Sequence, residues 1–282
     1  MKKQKTVSIK AKLLGVIIPV VIAIVVVLVV AAYQISAGTI KKYSQNLLQS
    51  SVENQASQIE AWLNENLASF QMAKTIIEDL KPSDEELKTI LDGYYGYNSN
   101  YPEGLYVADS TGQLITASES TKKESDVTNS TWYKEGLTRV NMAVGSAYQN
   151  ADGVNVISAS GILNDGSDKV RVISADMTLD RIAIIVNSFI EMNDAEAFLV
   201  DKTSGVILAN RDSSLISQTL GAEGQSHFYQ LTAEKAAEKD YNFATLDGNM
   251  TVFQEVDGTN WLLISYIPTS IVLSDLTQLR NI

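Results

Sequence analysis

The sequence contains no cysteine among its 282 residues. Disulfide bonds, thiolate metal ligands and cysteine nucleophiles are therefore excluded. An exported domain of this composition relies on its hydrophobic core for stability, which fits a bacterial cell surface better than a small secreted eukaryotic domain. A chain of this length provides for one large domain or two of modest size.

Histidine is almost as scarce, since His227 is the only one. A Ser-His-Asp triad would require His227, which follows Ser226 where we expect a capped helix start, and the sequence has no Gly-x-Ser-x-Gly motif. It also lacks a Gly-rich phosphate-binding loop and a His-x-x-x-His pair. The carboxylates of Glu85 and Glu86 lie in a polar segment and are expected to be solvated. We therefore predict no enzymatic activity, no catalytic residue, no metal site and no cofactor.

Acidic residues are absent from the beginning of the chain, where none precedes Glu53. The N-terminus instead carries a cluster of lysines, Lys2, Lys3, Lys5, Lys10 and Lys12. The remainder is thus more acidic than the formal net charge of -11 indicates. Phosphate binding needs a basic face, so a nucleic-acid partner is excluded, and the acidic body is expected to stand away from anionic lipid headgroups.

A long uncharged run follows the lysines, from residue 13 to residue 32. A helix of this length spans about 30 Å, the thickness of the hydrocarbon core of a bilayer. The lysines predict a cytoplasmic N-terminus and an extracytoplasmic location for everything after Tyr33. The alternative is a signal peptide cut after small residues such as Val29 and Ala31, but its apolar region would run only about 7–15 residues. We therefore prefer an uncleaved membrane anchor.

A second helical pattern follows the membrane segment, with no Gly or Pro between Thr39 and Lys81. Its apolar residues recur at steps of three and four, which predicts one apolar stripe on a helix that ends before Pro82. The stripe consists of Val52, Ala56, Ile59, Leu63, Leu67, Phe70, Ala73, Ile77 and Leu80. We expect its distal half to dock on the domain and its membrane-proximal half to form a homodimer.

Short strands are predicted from residue 104 onward, separated by turns such as Asp152-Gly153 and Asp165-Gly166. They cover residues 104–109, 113–117, 143–148, 155–162 and 170–176. A helix is expected over residues 179–192, with Ile182, Ile185, Val186 and Phe189 on one face.

The strand pattern then repeats. A hairpin over residues 197–201 and 206–209 copies the first one about 92 residues later, Asp247-Gly248 matches Asp152-Gly153 at an offset of 95, and Ile264-Ser265 matches Ile173-Ser174 at 91. Three matches at nearly one offset predict two similar α+β modules in tandem.

At this point the sequence resembles the double Cache sensor domain of bacterial chemoreceptors and sensor kinases. The segments that carry the resemblance are EGLYVAD at 103–109, Thr131-Trp132-Tyr133, VISAD at 172–176 and NWLLISY at 260–266 before Pro268. The resemblance implies an α+β fold, with a long N-terminal helix followed by two PAS-like antiparallel-sheet modules. The expected divisions are a basic tail (1–12), a transmembrane helix (13–33), a stalk helix (34–81), a membrane-distal ligand-binding module (82–192), a membrane-proximal module (193–268) and a C-terminal helix (269–282).

The resemblance also implies where the ligand binds, namely in the distal module. Amino-acid-binding members have an Arg two residues before the Trp, where this chain has Ser130, and an acidic residue two after the strand Tyr, where it has Asn150. Trp132, Tyr133, Tyr148 and Asp176 do match the residues of those members. The implied ligand-binding residues are Tyr106, Ser130, Trp132, Tyr133, Tyr148, Asn150, Ser174 and Asp176.

The loss of the Arg while Asp176 remains changes the expected ligand. Asp176 would be an uncompensated acceptor, so we expect an amine or an NH-rich heterocycle such as a nucleobase in preference to amino acids. Arg139 and Arg171 lack the spacing to replace the missing Arg. Two alternatives stay open, that Trp132 and Tyr133 are ordinary core aromatics and that Asp176 caps a helix near residues 178–181.

The resemblance implies the input domain of a transmembrane chemoreceptor, which binds a small molecule outside the cell and signals across the membrane. The N-terminal helix would contact lipid, and a second span is expected beyond Ile282. The alternatives are the input domain of a sensor histidine kinase or cyclase, and a membrane-tethered solute-binding protein without signalling output.

We predict that His227, like Ser226 and Glu85, is dispensable for ligand binding, because it lies outside the expected distal pocket. Calorimetry on His227→Ala should give an unchanged dissociation constant. A large loss of affinity would show that the ligand site lies in the other module.

Overall fold

The structure of the protein, a computed structural model, describes residues 9–150, 153–188, 192 and 194–274. Its helices are α1 (Ile9–Leu80), α2 (Asp84–Asp92), α3 (Thr131–Gly136), α4 (Asp180–Val186), α5 (His227–Ala237) and α6 (Thr269–Val272).

The strands form two five-stranded antiparallel sheets. The first contains β1 (Leu105–Asp109), β2 (Leu114–Ile115), β3 (Ala143–Gln149), β4 (Asn155–Leu163) and β5 (Arg171–Thr178). The second contains β6 (Glu196–Asp201), β7 (Ile207–Asn210), β8 (Ala244–Leu246), β9 (Asn249–Val256) and β10 (Trp261–Pro268).

Both sheets have the same strand order, β2-β1-β5-β4-β3 in the first and β7-β6-β10-β9-β8 in the second. The prediction of two tandem α+β modules after a long helix is therefore confirmed. We call the first sheet with α2 and α3 the distal module and the second sheet with α5 the proximal module. These names follow the expected positions relative to the membrane. The residue boundaries expected for the modules stay predictions.

The repeat extends to the turns of the two sheets. Asp109 ends β1 and accepts hydrogen bonds from the backbone N–H groups of Thr111 and Gln113, while Asp201 ends β6 and accepts from Thr203 and Ser204. A short carboxylate that binds the backbone two to four residues later fixes such a turn. The same residue type thus closes the first hairpin of each module.

The helix α1 is continuous from the apolar run into the stalk and contains Pro19. Its N-terminal part is long and apolar enough to cross a membrane by length and composition, and the large side chains there are exposed. The predicted basic tail falls mainly on residues 1–8, which lie outside the described part of the chain.

Residues 47–267 form one compact unit that contains both sheets and the distal half of α1. The apolar stripe of this part of the helix is buried, as Val52, Ile59, Phe70 and Ile77 show. Docking of the distal half is therefore confirmed. Leu80 was wrongly included in the stripe, since its side chain is 63% exposed. It is the last helical residue, after which the chain turns away at Lys81 with φ of 46°.

Polar side chains of α1 attach the helix to the modules. The Gln55 amide donates to the carbonyl oxygens of Ile185 and Ser188 at 3.1 and 2.8 Å, where the end of α4 leaves carbonyls without intrahelical partners. Gln71 accepts from the N–H of Met142 at 2.8 Å, just before β3. Glu60 accepts from the N–H of Asp257 at 2.8 Å, in the proximal module. One helix therefore contacts both modules.

Two predicted helices differ from the observed ones. The helix expected over 179–192 is α4, which ends at Val186, and Phe189 of its expected face lies outside the described residues. The C-terminal helix expected over 269–282 is observed as α6, and residues 275–282 are not described. The turn expected at Asp247-Gly248 is present, with φ of 48° and 78°.

Gly104, which precedes β1, has a positive φ of 68°, and a Cβ added there would lie 2.8 Å from the backbone of Tyr94. Gly112 has φ of 86° with open space around it, so it is a matched control. We predict that Gly112→Ala lowers the free energy of unfolding by about 1 kcal/mol through backbone strain, and that Gly104→Ala lowers it by at least about 2 kcal/mol because a backbone clash is added. Urea denaturation measures both. Equal losses of unfolding free energy in the two variants would contradict the close approach of Gly104 to the Tyr94 backbone.

Candidate functional site

A row of polar side chains lies on one face of the distal sheet. Asp176 of β5 pairs with Ser158 of β4, and Ser174 of β5 pairs with Tyr106 of β1. Because side chains alternate along a strand, residues two apart share a face, and paired residues of neighbouring strands lie side by side. The antiparallel pairing therefore gathers groups from several strands around Asp176.

The carboxylate of Asp176 is 7% exposed and fully engaged. Its Oδ1 accepts hydrogen bonds from the hydroxyl of Ser158 at 2.5 Å, from that of Tyr148 at 2.9 Å and from that of Tyr106. Its Oδ2 accepts from the ammonium of Lys122 at 2.6 Å. Three hydroxyl donors and one cation thus hold a single buried charge.

The expectation that Asp176 is an uncompensated acceptor is therefore wrong. Lys122 supplies the counter-charge from the segment between β2 and α3. A buried carboxylate without such a partner would be costly, and this is the physical reason why the chain provides one.

The alternative reading of Asp176 as a helix cap is wrong as well. The residue that precedes α4 is Leu179, and no side chain caps the start of this helix. The carboxylate of Asp176 bonds across the sheet instead.

Trp132 and Tyr133, at the start of α3, belong to a buried cluster with Tyr106 and Val172. The rings of Tyr106 and Trp132 meet edge to face with centroids 4.9 Å apart. The indole N–H of Trp132 donates to Glu124 at 2.8 Å. The two aromatics are buried in the core, where they support Tyr106, which binds Asp176, and their role as ligand-binding residues stays a prediction.

The remaining predicted residues have local roles. The Ser130 hydroxyl donates to the carbonyl of Val127 at 2.6 Å. The Asn150 side chain accepts from the N–H of Val154 at 2.9 Å and so shapes the β3–β4 turn. The Ser174 hydroxyl donates to the carbonyl of Ala159 at 3.1 Å and is fully buried in the sheet.

A cavity of about 240 Å³ opens beside this cluster. Its walls come from the segment before α3, from the start of α3 and from the end of β3. They consist of Lys122, Lys123, Glu124, Asn129, Ser130, Thr131, Tyr148, Gln149 and Asn150. Of the predicted residues, Ser130, Tyr148 and Asn150 thus line the cavity, while Lys122 and Tyr148 connect it to Asp176.

The tyrosines that bind Asp176 are held in their protonated form. Burial, with the adjacent Asp176 charge, raises the pKa of Tyr106 well above its ordinary value. The same two causes raise the pKa of Tyr148. Both hydroxyls therefore remain hydrogen-bond donors to the carboxylate.

Sequence reasoning missed Lys122, Glu124 and Ser158. The polar segment around Lys122 has no periodicity from which a buried contact follows. Ser158 carried a weak signal, because it alternates with Ser160 in an otherwise apolar predicted strand. Such small hydroxyl residues at alternating positions indicate a polar face.

Arg171 and Arg139, which we considered as replacements for the missing Arg, bind groups other than Asp176. Arg171 forms an ion pair with Asp165 at 2.7 Å and another with Asp84. Arg139 donates to the carbonyl of Ala143 at 3.0 Å and lies 3.5 Å from Glu135. In the described part of the chain, no group of three or more His, Asp or Glu side chains is arranged to hold a metal ion.

The proximal module has an aromatic cluster in place of a polar one. Phe228 at the start of α5 meets Tyr266 of β10 with ring centroids 4.4 Å apart, and Phe198 of β6 packs against both. The Tyr266 hydroxyl donates to Glu196 at 2.5 Å.

Comparison with known proteins identifies the architecture. A family model described as Cache domain matches residues 32–276. The ligand-binding domain of Mlp24, solved with asparagine, has a TM-score of 0.68 at 17% identity and covers 86% of this chain and 98% of its own. That of the Pseudomonas fluorescens chemoreceptor CtaA, with L-isoleucine, has a TM-score of 0.66 at 20% identity and covers 85% and 98%.

A third similar structure is the ligand-binding domain of the Pseudomonas aeruginosa PAO1 amino acid chemoreceptor PctC in complex with GABA, with a TM-score of 0.61 at 19% identity, covering 79% of this chain and 99% of its own. At these identities the likeness concerns the fold. No curated protein matches the chain. Because the family model spans the stalk and both sheets, the chain belongs to the Cache domain family, in its double Cache form.

Proposed function

We propose that the chain is the extracytoplasmic ligand-sensing domain of a transmembrane chemoreceptor, with its ligand bound in the distal module at Asp176. The observation that carries this proposal is the buried Asp176 carboxylate, surrounded by fixed hydroxyl donors and adjacent to a cavity of about 240 Å³. A carboxylate in this setting binds a group that brings a positive charge or N–H donors, and in the structure this group is the ammonium of Lys122. The similar structures are chemoreceptor ligand-binding domains, which supports sensing over solute delivery.

The ligand class that we propose is first an amine and second an NH-rich heterocycle such as a nucleobase, in preference to amino acids. Ser130 stands where amino-acid-binding members of the family have an Arg, and its hydroxyl is engaged by Val127. Of the two lysines that line the same cavity with Glu124, Lys122 is already paired with Asp176. A ligand carboxylate therefore lacks the bidentate partner that such groups prefer.

The ligands of the similar structures support one part of this proposal and oppose another. Asparagine, L-isoleucine and GABA each carry an ammonium group, which supports a cation at Asp176. Each also carries a carboxylate, so amino acids are the competing class.

A signal would leave the site through the stalk helix. Tyr148, which binds Asp176, lies on β3, and this strand begins one residue after Met142, whose N–H is held by Gln71 of α1. A ligand that alters the contacts of Tyr148 would therefore displace β3 against α1. The membrane-spanning part of α1 would contact lipid and carry the displacement toward the cytoplasm.

We further propose that two copies pair through α1. The membrane-proximal half, where we expected pairing, exposes Ile35 and Tyr43. The distal half docks on the modules with one face and exposes Met72, Ile76 and Leu80 on another, at steps of four residues. Exposed apolar side chains at this spacing form a stripe that a second α1 helix can cover.

Asp176→Asn, which removes the charge and keeps the shape, is expected to weaken binding of an amine ligand at least about 100-fold, because the loss leaves a buried cation without its partner. Calorimetry against primary amines, nucleobases, amino acids and dicarboxylates measures the effect. The control is Asp180→Asn, an exposed carboxylate four residues later at the start of α4. Tight binding of an ordinary amino acid, undiminished in Asp176→Asn, would contradict the proposed ligand class.

Pairing is testable by cross-linking, because the chain has no cysteine and a single introduced one is unambiguous. We expect Met72→Cys to form a disulfide-linked dimer in membranes under mild oxidation, since the pairing brings equivalent positions of two helices together. The control is Thr89→Cys, which is exposed on α2. Equal cross-linking of both variants would indicate random collision and refute pairing through this face.

A further inference from the structure

The contacts of the Lys122 ammonium resemble those that a protein makes with a bound ammonium ligand. The Lys122 ammonium lies 2.6 Å from Oδ2 of Asp176 and 4.2 Å from the centroid of the Tyr106 ring. Its side chain is 9% exposed. A carboxylate on one side and an aromatic face on the other are the groups by which proteins bind ammonium ligands.

The backbone on both sides of Lys122 is fixed independently of its ammonium group. Ser120 donates to Glu103 at 2.5 Å, and Thr121 donates to the same carboxylate through its N–H and its hydroxyl. On the other side, Glu124 accepts from Trp132 at 2.8 Å. The lysine side chain has four rotatable bonds, so its ammonium can leave the site while the backbone stays in place. The next residue, Lys123, already has its side chain in solvent.

We propose that Lys122 is a tethered occupant of the ammonium site and that it determines which ligands enter. In the free protein its ammonium pairs with Asp176, and an incoming cation takes its place while Lys122 moves to solvent. For the natural ligand, the exchange depends on the proposed function, in which the ligand binds at Asp176.

The exchange of one ammonium for another leaves the charge of the buried site unchanged. A neutral heterocycle that displaced Lys122 would instead leave Asp176 buried without a counter-charge, at a large cost in free energy. Lys122 therefore selects cations over neutral NH donors. It also lowers the apparent affinity for every cation, in proportion to the fraction of molecules whose site is open.

The test uses n-propylammonium chloride, which matches the part of the side chain that Lys122→Ala removes. Thermal unfolding of the full-length chain in detergent is followed by tryptophan fluorescence. We expect saturable stabilisation of Lys122→Ala, with a half-saturating concentration at least about tenfold below that of the wild type. The matched control is Lys88→Ala, an exposed lysine of α2 that does not line the cavity, which should behave as the wild type. The neutral analogue n-propanol should stabilise none of them.

A second variant covers the case in which Lys122→Ala does not fold. Lys122→Gln keeps a neutral donor beside Asp176, and propylammonium is again expected to act at lower concentration than in the wild type. If both variants respond to propylammonium as Lys88→Ala does, the inference is refuted.

The outcome separates this inference from the proposed function, since no natural ligand is needed. Propylammonium binding by Lys122→Ala, with no amine bound by the wild type in the calorimetric panel, would uphold the tethered occupant and reject the proposed ligand class. Equal amine affinity of the wild type and Lys122→Ala would refute the tethered occupant and uphold the proposed ligand class.

Discussion

The distal module is organised around one buried carboxylate and the groups that form hydrogen bonds and an ion pair with it. Asp176 is almost inaccessible to water, and its two oxygens are satisfied by hydroxyls from three strands and by an ammonium from a connecting segment. Tyr106 is one of these partners, and its ring meets that of Trp132, at the start of α3, edge to face. The polar cluster and the aromatic core of the module are therefore joined through Tyr106.

The fold was largely predictable because it depends on local patterns. Apolar residues at helical spacing predicted the stalk, and its end before Pro82 followed from the restriction that proline places on the preceding residue. The offset repeat predicted two modules with equivalent strands, including the turn at Asp247. Leu80 was assigned to the wrong face because its spacing continues the stripe, whereas its exposure depends on where the chain turns next.

The site was predictable only in part, because its decisive contact is not local. The motif positions indicated Tyr106, Tyr148 and Asp176, and the structure brings these three together. The absence of Arg at position 130 was taken to mean that no cation was near, but Lys122 reaches Asp176 from 54 positions earlier in the chain. Such a contact follows from the path of an irregular segment, for which the sequence has no periodic signal.

The turn aspartates at the ends of β1 and β6 allow the two sheets to be compared residue by residue. Asp109 faces Arg171 and Asp201 faces Trp261, so Asp176, five residues after Arg171, corresponds to Tyr266, five after Trp261. Where one copy of the scaffold holds a charge, the other holds a ring against Phe228. A filled aromatic interior is nearly incompressible, whereas an ion pair can exchange one of its members. Two copies of one scaffold thus differ in what they hold at one register position, a pair of opposite charges in the first and a pair of packed rings in the second.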